Sequence, residues 1–292
     1  MKYVHYEWKG QPTIGIRLEH GVIPLPSLAR YSSQPLPQRI EELLSASNLH
    51  TDIQTILDTH LSELTTELLD ENMLRWLPCV PQPGKVICIG LNYRKHAAET
   101  NMPEPETPVV FSKFSDTVAA HGDDVPLPEE SKQVDYEAEL CIVIGRQARN
   151  VSRQDALDYV FGYCAANDVS ARDLQMRASQ WLLGKTCERF APIGPYLVTA
   201  DEVGDPNQLH IAARRNGETV QQSNTSDMIF HCDEIIHYLS RHMTLQPGDL
   251  ILTGTPEGVI LGQPKEQQHW LTAGDTVTIE IEKLGQLTNT FV

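Results

Sequence analysis

Two glutamates, two positions apart in the run Asp135-Tyr136-Glu137-Ala138-Glu139-Leu140-Cys141-Ile142-Val143-Ile144-Gly145, are the residues of this chain best placed to do chemistry. Alternation along a strand puts Glu137 and Glu139 on one side and Ala138, Leu140, Ile142 and Ile144 on the other. Repulsion and desolvation both oppose ionising neighbouring carboxylates. The pair therefore calls for a bound hard cation, a shared proton, or an acidic face in open water. On these two residues alone the solvated face stays open, because Glu is mostly exposed. A third carboxylate, Asp168, ends the short apolar run Gly162-Tyr163-Cys164-Ala165-Ala166-Asn167. Three carboxylates with positions left for water and substrate suit Mg²⁺ or Mn²⁺ better than Zn²⁺, which prefers nitrogen and sulfur. The alternative for Asp168 is an N-cap of the helix that follows it.

Two further groups belong beside these. The segment Ile89-Gly90-Leu91-Asn92-Tyr93-Arg94-Lys95-His96-Ala97-Ala98-Glu99 reads as a strand, a tight turn and a helix on which His96 and Glu99 are neighbours. A carboxylate beside an imidazole orients it and raises its basicity, which makes a general base. The same spacing also fits a solvated pair on a helix surface. Lys185, in Gly184-Lys185-Thr186, is a cation able to neutralise a substrate carboxylate or a developing enolate, or an ordinary surface lysine.

The elements that must position these groups are mostly strands. Tyr3 to Trp8, Thr13 to Leu18 and Val22 to Leu25 read as short strands, followed by helical spacing from Ile40 to Leu69. Leu77-Pro78-Cys79-Val80-Pro81-Gln82-Pro83-Gly84 cannot continue a helix. A boundary there divides an N-terminal α+β domain, 1–80, from a catalytic domain, 81–292. Beyond it the expected strands are Lys85 to Ile89, Val109 to Phe111, Tyr136 to Ile144, Tyr196 to Thr199, Leu209 to Arg214, Asp249 to Leu252, Thr276 to Glu282 and Leu287 to Val292. Helices are expected near Ser152 to Val160 and from Cys232 to about Met243, with Asn216-Gly217 as a hairpin turn. Many strands and few crossover helices predict an α+β, mainly β fold rather than a Rossmann sheet, and no phosphate-binding glycine motif is present.

Composition narrows the partners. Against 23 Lys+Arg stand 39 Asp+Glu, a net charge of −16, which disfavours nucleic acid and anionic membrane. An anionic substrate then needs a local cation. No apolar run approaches a membrane span and the first residues lack a signal-peptide core, so a cytoplasmic protein is the expectation. The six cysteines are dispersed without a C-x-x-C pair, which reads as reduced, mostly buried thiols.

Taken together, Gly90-Leu91-Asn92-Tyr93 with His96 and Glu99, Phe111-Ser112-Lys113, Asp135 to Leu140, Asn167 to Asp173, Asn224-Thr225-Ser226-Asp227-Met228, and Pro247-Gly248-Asp249 leading into Thr253-Gly254-Thr255-Pro256-Glu257-Gly258-Val259 resemble the fumarylacetoacetate hydrolase family. The resemblance runs in order from about residue 84 to 292. It implies a mixed β-roll, usually a homodimer, with Mg²⁺ or Mn²⁺ held by Glu137, Glu139 and Asp168 and a 2-oxoacid substrate chelating that ion. It gives His96 and Glu99 the part of a water-activating dyad, with Thr100 to Pro108 as the mobile part of a lid. Lys185 becomes a substrate-facing lysine, while Gln175 and Arg172 join Gly90 near the substrate. Gly254 with Thr255 forms the carboxylate cradle. Similar proteins hydrolyse acylpyruvates, decarboxylate oxaloacetate, or isomerise hydroxymuconate-type diacids. The complete dyad favours acylpyruvate hydrolysis, with oxaloacetate decarboxylation next and a regulatory, ketoacid-binding role as the alternative of another class. Cys187-Glu188-Arg189 departs from the family pattern. There Arg189 either binds a distal substrate carboxylate or pairs with Glu188 at the surface.

Overall fold

Strand β6, Ala138–Ile144, is buried along its whole length, and the fold is arranged around it. Its side chains alternate between two cores: Leu140, Ile142 and Ile144 enter one, Cys141 and Val143 the other. A strand covered on both faces reads as a continuous apolar run. The computed structural model describes residues 1–46 and 49–292.

In chain order the labelled strands are β1 Lys2–Trp8, β2 Gln11–Leu18, β3 Gly21–Pro24, β4 Val86–Gly90, β5 Val109–Lys113, β6, β7 Val160–Asn167, β8 Ala191–Thr199, β9 His210–Arg215, β10 Glu218–Asn224, β11 Leu250–Leu252, β12 Thr276–Ile281 and β13 Gly285–Phe291. The larger sheet runs β3-β2-β1-β8-β7-β6-β11-β4-β5. Within that order only β11 and β4 pair in parallel. A second sheet, β10-β9-β12-β13, ends in a parallel pairing with Asp124–Val125. The core between the sheets takes Ile87, Ile142 and Tyr163 from the larger one and Ile211, Ile279 and Leu287 from the smaller. Asn216 and Gly217 both have positive φ, 52° and 86°, as a tight turn between β9 and β10 requires.

The expected division at residue 80 is crossed by the sheet. Strand β1 pairs with β8 through Lys2↔Val198, Tyr3↔Leu197 and Val4↔Tyr196. Helices α1, Ile40–Ser45, and α2, Leu49–Leu64, place Leu43, Ile53 and Leu57 in the same core as Val86, Cys141, Cys164 and Leu252. The N-terminal region therefore shares the second core with the rest of the chain, beside a small cluster around its own Val4, Tyr6 and Val22. The helical spacing expected from Ile40 to Leu69 gives these two helices and a 3₁₀ turn at Thr65–Glu67, while residues 47 and 48 lie outside the described residues. Leu69 instead exchanges backbone hydrogen bonds with Val22.

One other expectation changes: Ser152 to Val160 holds the 3₁₀ turn Ala156–Tyr159 in place of a helix, and Val160 already begins β7. The helix expected from Cys232 to about Met243 is present as Cys232–His242. All six cysteines are free, five of them buried. No helix among the described residues is long and apolar enough to cross a membrane.

Candidate active site

Glu137 stands one residue before β6 and Asp168 one residue after β7, and these strands are antiparallel neighbours. Two hydrogen bonds hold the ends together: the Glu137 amide donates to Asn167 Oδ1 at 3.0 Å, and the Asp168 amide donates to the Glu137 carbonyl at 3.0 Å. Carboxylate oxygens of Glu137, Glu139 and Asp168 thereby come within 4.8 Å of one another. The solvated-face reading is overturned, since Glu137 is 5% and Glu139 2% exposed. So is the N-cap reading of Asp168: the following helix, α4, Arg172–Gln175, is capped at Ala171 without a side-chain hydrogen bond.

Cations surround the cluster unevenly. Lys185, at the end of the short helix α5, Leu182–Lys185, is 2.8 Å from Glu137 Oε2 and 2.8 Å from Asp168 Oδ2. Lys113, from β5, donates to the other Asp168 oxygen and to the Val169 carbonyl. Arg172 places Nη2 2.7 Å from Glu137 Oε1 and donates through Nε to Asp135 at 2.9 Å. Four carboxylates, Asp135, Glu137, Glu139 and Asp168, thus face three cations, Lys113, Arg172 and Lys185, and the carboxylate left over is Glu139. Among the described residues its carboxylate accepts one hydrogen bond, from the Gly254 amide at 2.7 Å. Burial, then Asp168 and Glu137, push the Glu139 carboxyl well above the usual carboxylate range. For Glu137 burial acts the same way but is outweighed by Lys185 and Arg172, which hold it low. Lys185 is raised to about 12, its burial outweighed by Asp168 and Glu137.

That donor set fits a hard divalent cation. The three ligand atoms are all carboxylate oxygen, and a divalent ion would give Glu139 the partner it lacks.

His96 and Glu99 lie on α3, Arg94–Glu99, which follows β4 through a turn with Leu91 at φ 53°. Asn92, fully buried, locks that turn. Its Nδ2 donates to the Phe230 and Thr253 carbonyls at 3.0 and 2.7 Å, and its Oδ1 accepts from the Phe230 amide at 2.8 Å. His96 Nδ1 is 3.2 Å from Glu99 Oε2, and Glu99 also accepts from the Gly258 amide at 3.0 Å. His96 is 7% exposed, so the pair is not a solvated surface feature.

One cavity of about 650 Å³ brings most of the expected residues together: Gly90, His96, Glu99, Glu137, Glu139, Arg172, Gln175, Lys185 and Thr255 all line it. Asp168 is fully buried behind Lys185. Gly90 is small for a reason, because a Cβ there would meet the Trp181 ring at 2.7 Å. Thr100, Asn101 and Met102, the start of the expected lid, form part of the wall.

Two expectations are corrected. Gly254 does not line the cavity; with φ +100° it turns its amide onto Glu139 and so places a ligand rather than a substrate. Arg189 neither lines the cavity nor pairs with Glu188. Its Nη1 donates to the Asp124 carbonyl at 2.9 Å. Lys113 was missed as a site residue although it stands in one of the recognised motifs. A lysine closing an apolar strand was the available signal.

The fumarylacetoacetate (FAA) hydrolase C-terminal family matches residues 85–292. The chain is 41% identical over 300 residues to oxaloacetate tautomerase fahd2, mitochondrial, of Xenopus laevis, covering all of this chain and 90% of that one. The solved structure of 2-hydroxyhepta-2,4-diene-1,7-dioate isomerase from Mycobacterium marinum is similar, with 31% identity, a TM-score of 0.77, and 100% and 98% of the two chains covered. So is maleylpyruvate hydrolase from Sphingobium sp. SYK-6 in complex with manganese (II) ion and pyruvate, with 26% identity, a TM-score of 0.79 and 100% and 99% covered. The motif order, the mixed sheets around β6 and these matches lead to one conclusion: the chain belongs to the fumarylacetoacetate hydrolase family.

Proposed function

We propose that the chain is a divalent-cation-dependent enzyme acting on 2-oxoacids, and that its reaction is keto–enol interconversion of oxaloacetate. The observation that carries this reading is the opening of the His96–Glu99 dyad onto the same cavity as Glu137, Glu139 and Lys185. The name of the Xenopus relative supports the substrate and moves the balance from the expected acylpyruvate hydrolysis to oxaloacetate, with tautomerisation in place of the expected decarboxylation.

A Mg²⁺ or Mn²⁺ held by Glu137, Glu139 and Asp168 would draw electron density from the 2-oxo oxygen and acidify the adjacent carbon. The chain's own residues supply the rest. Lys113, Lys185 and Arg172 offset three of the four carboxylates there, so that with a divalent ion the cluster would be net positive, in a protein of net charge −16 where a dianion would otherwise be repelled. Gln175, whose Oε1 accepts from Arg172 Nη1 at 3.0 Å, fixes the guanidinium plane. Glu99 holds His96 at Nδ1, which leaves Nε2 to take a proton from carbon 3 and return it to the 2-oxygen. That exchange consumes no water.

Hydrolysis of acylpyruvates is the second reading, favoured by the likeness to a maleylpyruvate hydrolase; the same dyad would then activate water. One assay separates them. With Mn²⁺ present, the decay of enol absorbance of oxaloacetate is followed beside its release of CO₂ and the cleavage of acetylpyruvate, each corrected for ion alone. Oxaloacetate interconversion should be fastest per active site. Faster cleavage of acetylpyruvate would transfer the assignment to hydrolysis, and turnover of neither would end both readings.

A further inference from the structure

We propose that Gln221 is a positioning residue that ties the cation half of the site to the proton-transfer half. It lies on β10, in the second sheet, and is 2% exposed. Its Oε1 accepts from the amide of Ala138, the residue between Glu137 and Glu139, at 2.9 Å. Its Nε2 donates to Thr255 Oγ1 at 2.9 Å and to the Pro256 carbonyl at 2.8 Å. One buried amide therefore spans from the ligand-bearing strand to the segment Gly254–Gly258.

That segment touches both halves of the site. At one end the Gly254 amide holds Glu139 at 2.7 Å; at the other the Gly258 amide holds Glu99 at 3.0 Å. Gln221 clamps its middle. The fit beside it is close: Gly258 has φ +100°, and a Cβ there would lie 2.1 Å from the carbonyl oxygen of Val220, the neighbour of Gln221. The segment cannot shift toward β10, and with Gln221 bonded it cannot lift away. Only an amide serves here, because the position needs an acceptor for Ala138 and donors for Thr255 and Pro256 on one side chain.

The inference rests on the assignment of the cation ligands and dyad made above, and two variants separate its parts. Gln221→Glu keeps the shape and the acceptor for Ala138 but carries no donor when ionised and one in place of the amide's two when protonated. Gln221→Met loses both. Mn²⁺ titration of the folded proteins should give Gln221→Glu an affinity within about threefold of wild type and Gln221→Met an affinity lower by about tenfold, the scale of losing a group that orients ligands. Turnover number should fall by about tenfold or more in both, with KM changed by less than about threefold, because the dyad loses its backing while substrate contacts stay. Rates are expressed per folded molecule, measured by circular dichroism at the assay temperature. Wild-type turnover per folded molecule in Gln221→Glu would overturn the proposal, as would wild-type Mn²⁺ affinity in Gln221→Met. A wild-type protein that binds Mn²⁺ but turns over no oxaloacetate defeats the functional reading and leaves the Mn²⁺ titration to decide on Gln221. A wild-type protein that binds no Mn²⁺ overturns both.

Discussion

Among the described residues Glu139 is a buried carboxylate with no ion-pair partner, and that asymmetry separates its role from those of Glu137 and Asp168. Replacing its carboxyl by an amide costs the site a ligand but removes a group whose ionisation burial and the neighbouring carboxylates oppose. Glu139→Gln should therefore lower Mn²⁺ affinity by about tenfold or more while the melting temperature of the ion-free protein holds or rises, as calorimetry would show. A fall in melting temperature would mean that Glu139 is paired in some way that the geometry does not provide. The raised position of its carboxyl also fixes a sign. A group raised in the folded state stabilises the ion-free protein at low pH, and this contribution is lost as pH climbs through the folded value. Wherever the carboxyl holds its proton Mn²⁺ competes with it, so affinity should rise with pH and binding in that range should acidify a weakly buffered solution. His96→Ala should reduce turnover by about 10²-fold, the ordinary scale for a lost general base, with Mn²⁺ affinity unchanged. Arg189→Ala should leave the ratio of kcat/KM for dicarboxylate and monocarboxylate 2-oxoacids where it was, since that side chain is bonded to the Asp124 carbonyl.

The turn after β11 shows how an element sets a ligand. Gly254 has φ +100°, and a Cβ there would approach Asn92 Cβ at 2.7 Å and the Ile89 carbonyl oxygen at 3.0 Å. Asn92 cannot yield, because its side chain is bonded to Thr253 and Phe230. Gly254→Ala should cost about 2–4 kcal/mol of stability, from strain and overpacking together, and weaken Mn²⁺ binding through the displaced amide. Denaturant unfolding beside Mn²⁺ titration checks both. This turn was legible in part: Thr253-Gly254-Thr255 was recognised, but as a cradle for substrate, because nothing in a sequence says which way an amide faces. Strands such as Thr276–Ile281 were readable from alternation alone, since one face meets the core and the other does not. The run from Ser152 is too short to separate a helix from a turn: Ala156, Leu157 and Tyr159 form one 3₁₀ turn, and β7 begins at Val160. Long-range polar partners were not legible. Lys113 meets Asp168 across 55 residues and Gln221 meets Ala138 across 83, and local spacing carries no trace of such pairs.

At the scale of the molecule, the proline-rich run Leu77 to Gly84 marks the place where the matched family begins, and the larger sheet crosses it. The larger sheet needs cover on both faces. One face has the second sheet, and the other has α1 and α2, which bury Leu43, Ile53 and Leu57 against Cys141, Cys164 and Leu252. Removing residues 1–80 would uncover that face and free the edge of β8 that β1 now occupies, leaving exposed apolar surface beside unpaired backbone groups. The fragment 81–292 should therefore aggregate on expression, or bind a hydrophobic dye strongly and lack the near-ultraviolet signal of packed aromatics. It should also lose Mn²⁺ affinity although every ligand is retained, because Glu139 lies on the strand whose Cys141 and Val143 would lose their cover. A monodisperse fragment that binds Mn²⁺ as the full chain does would restore the division at residue 80 and make the N-terminal region an accessory to a self-sufficient catalytic body.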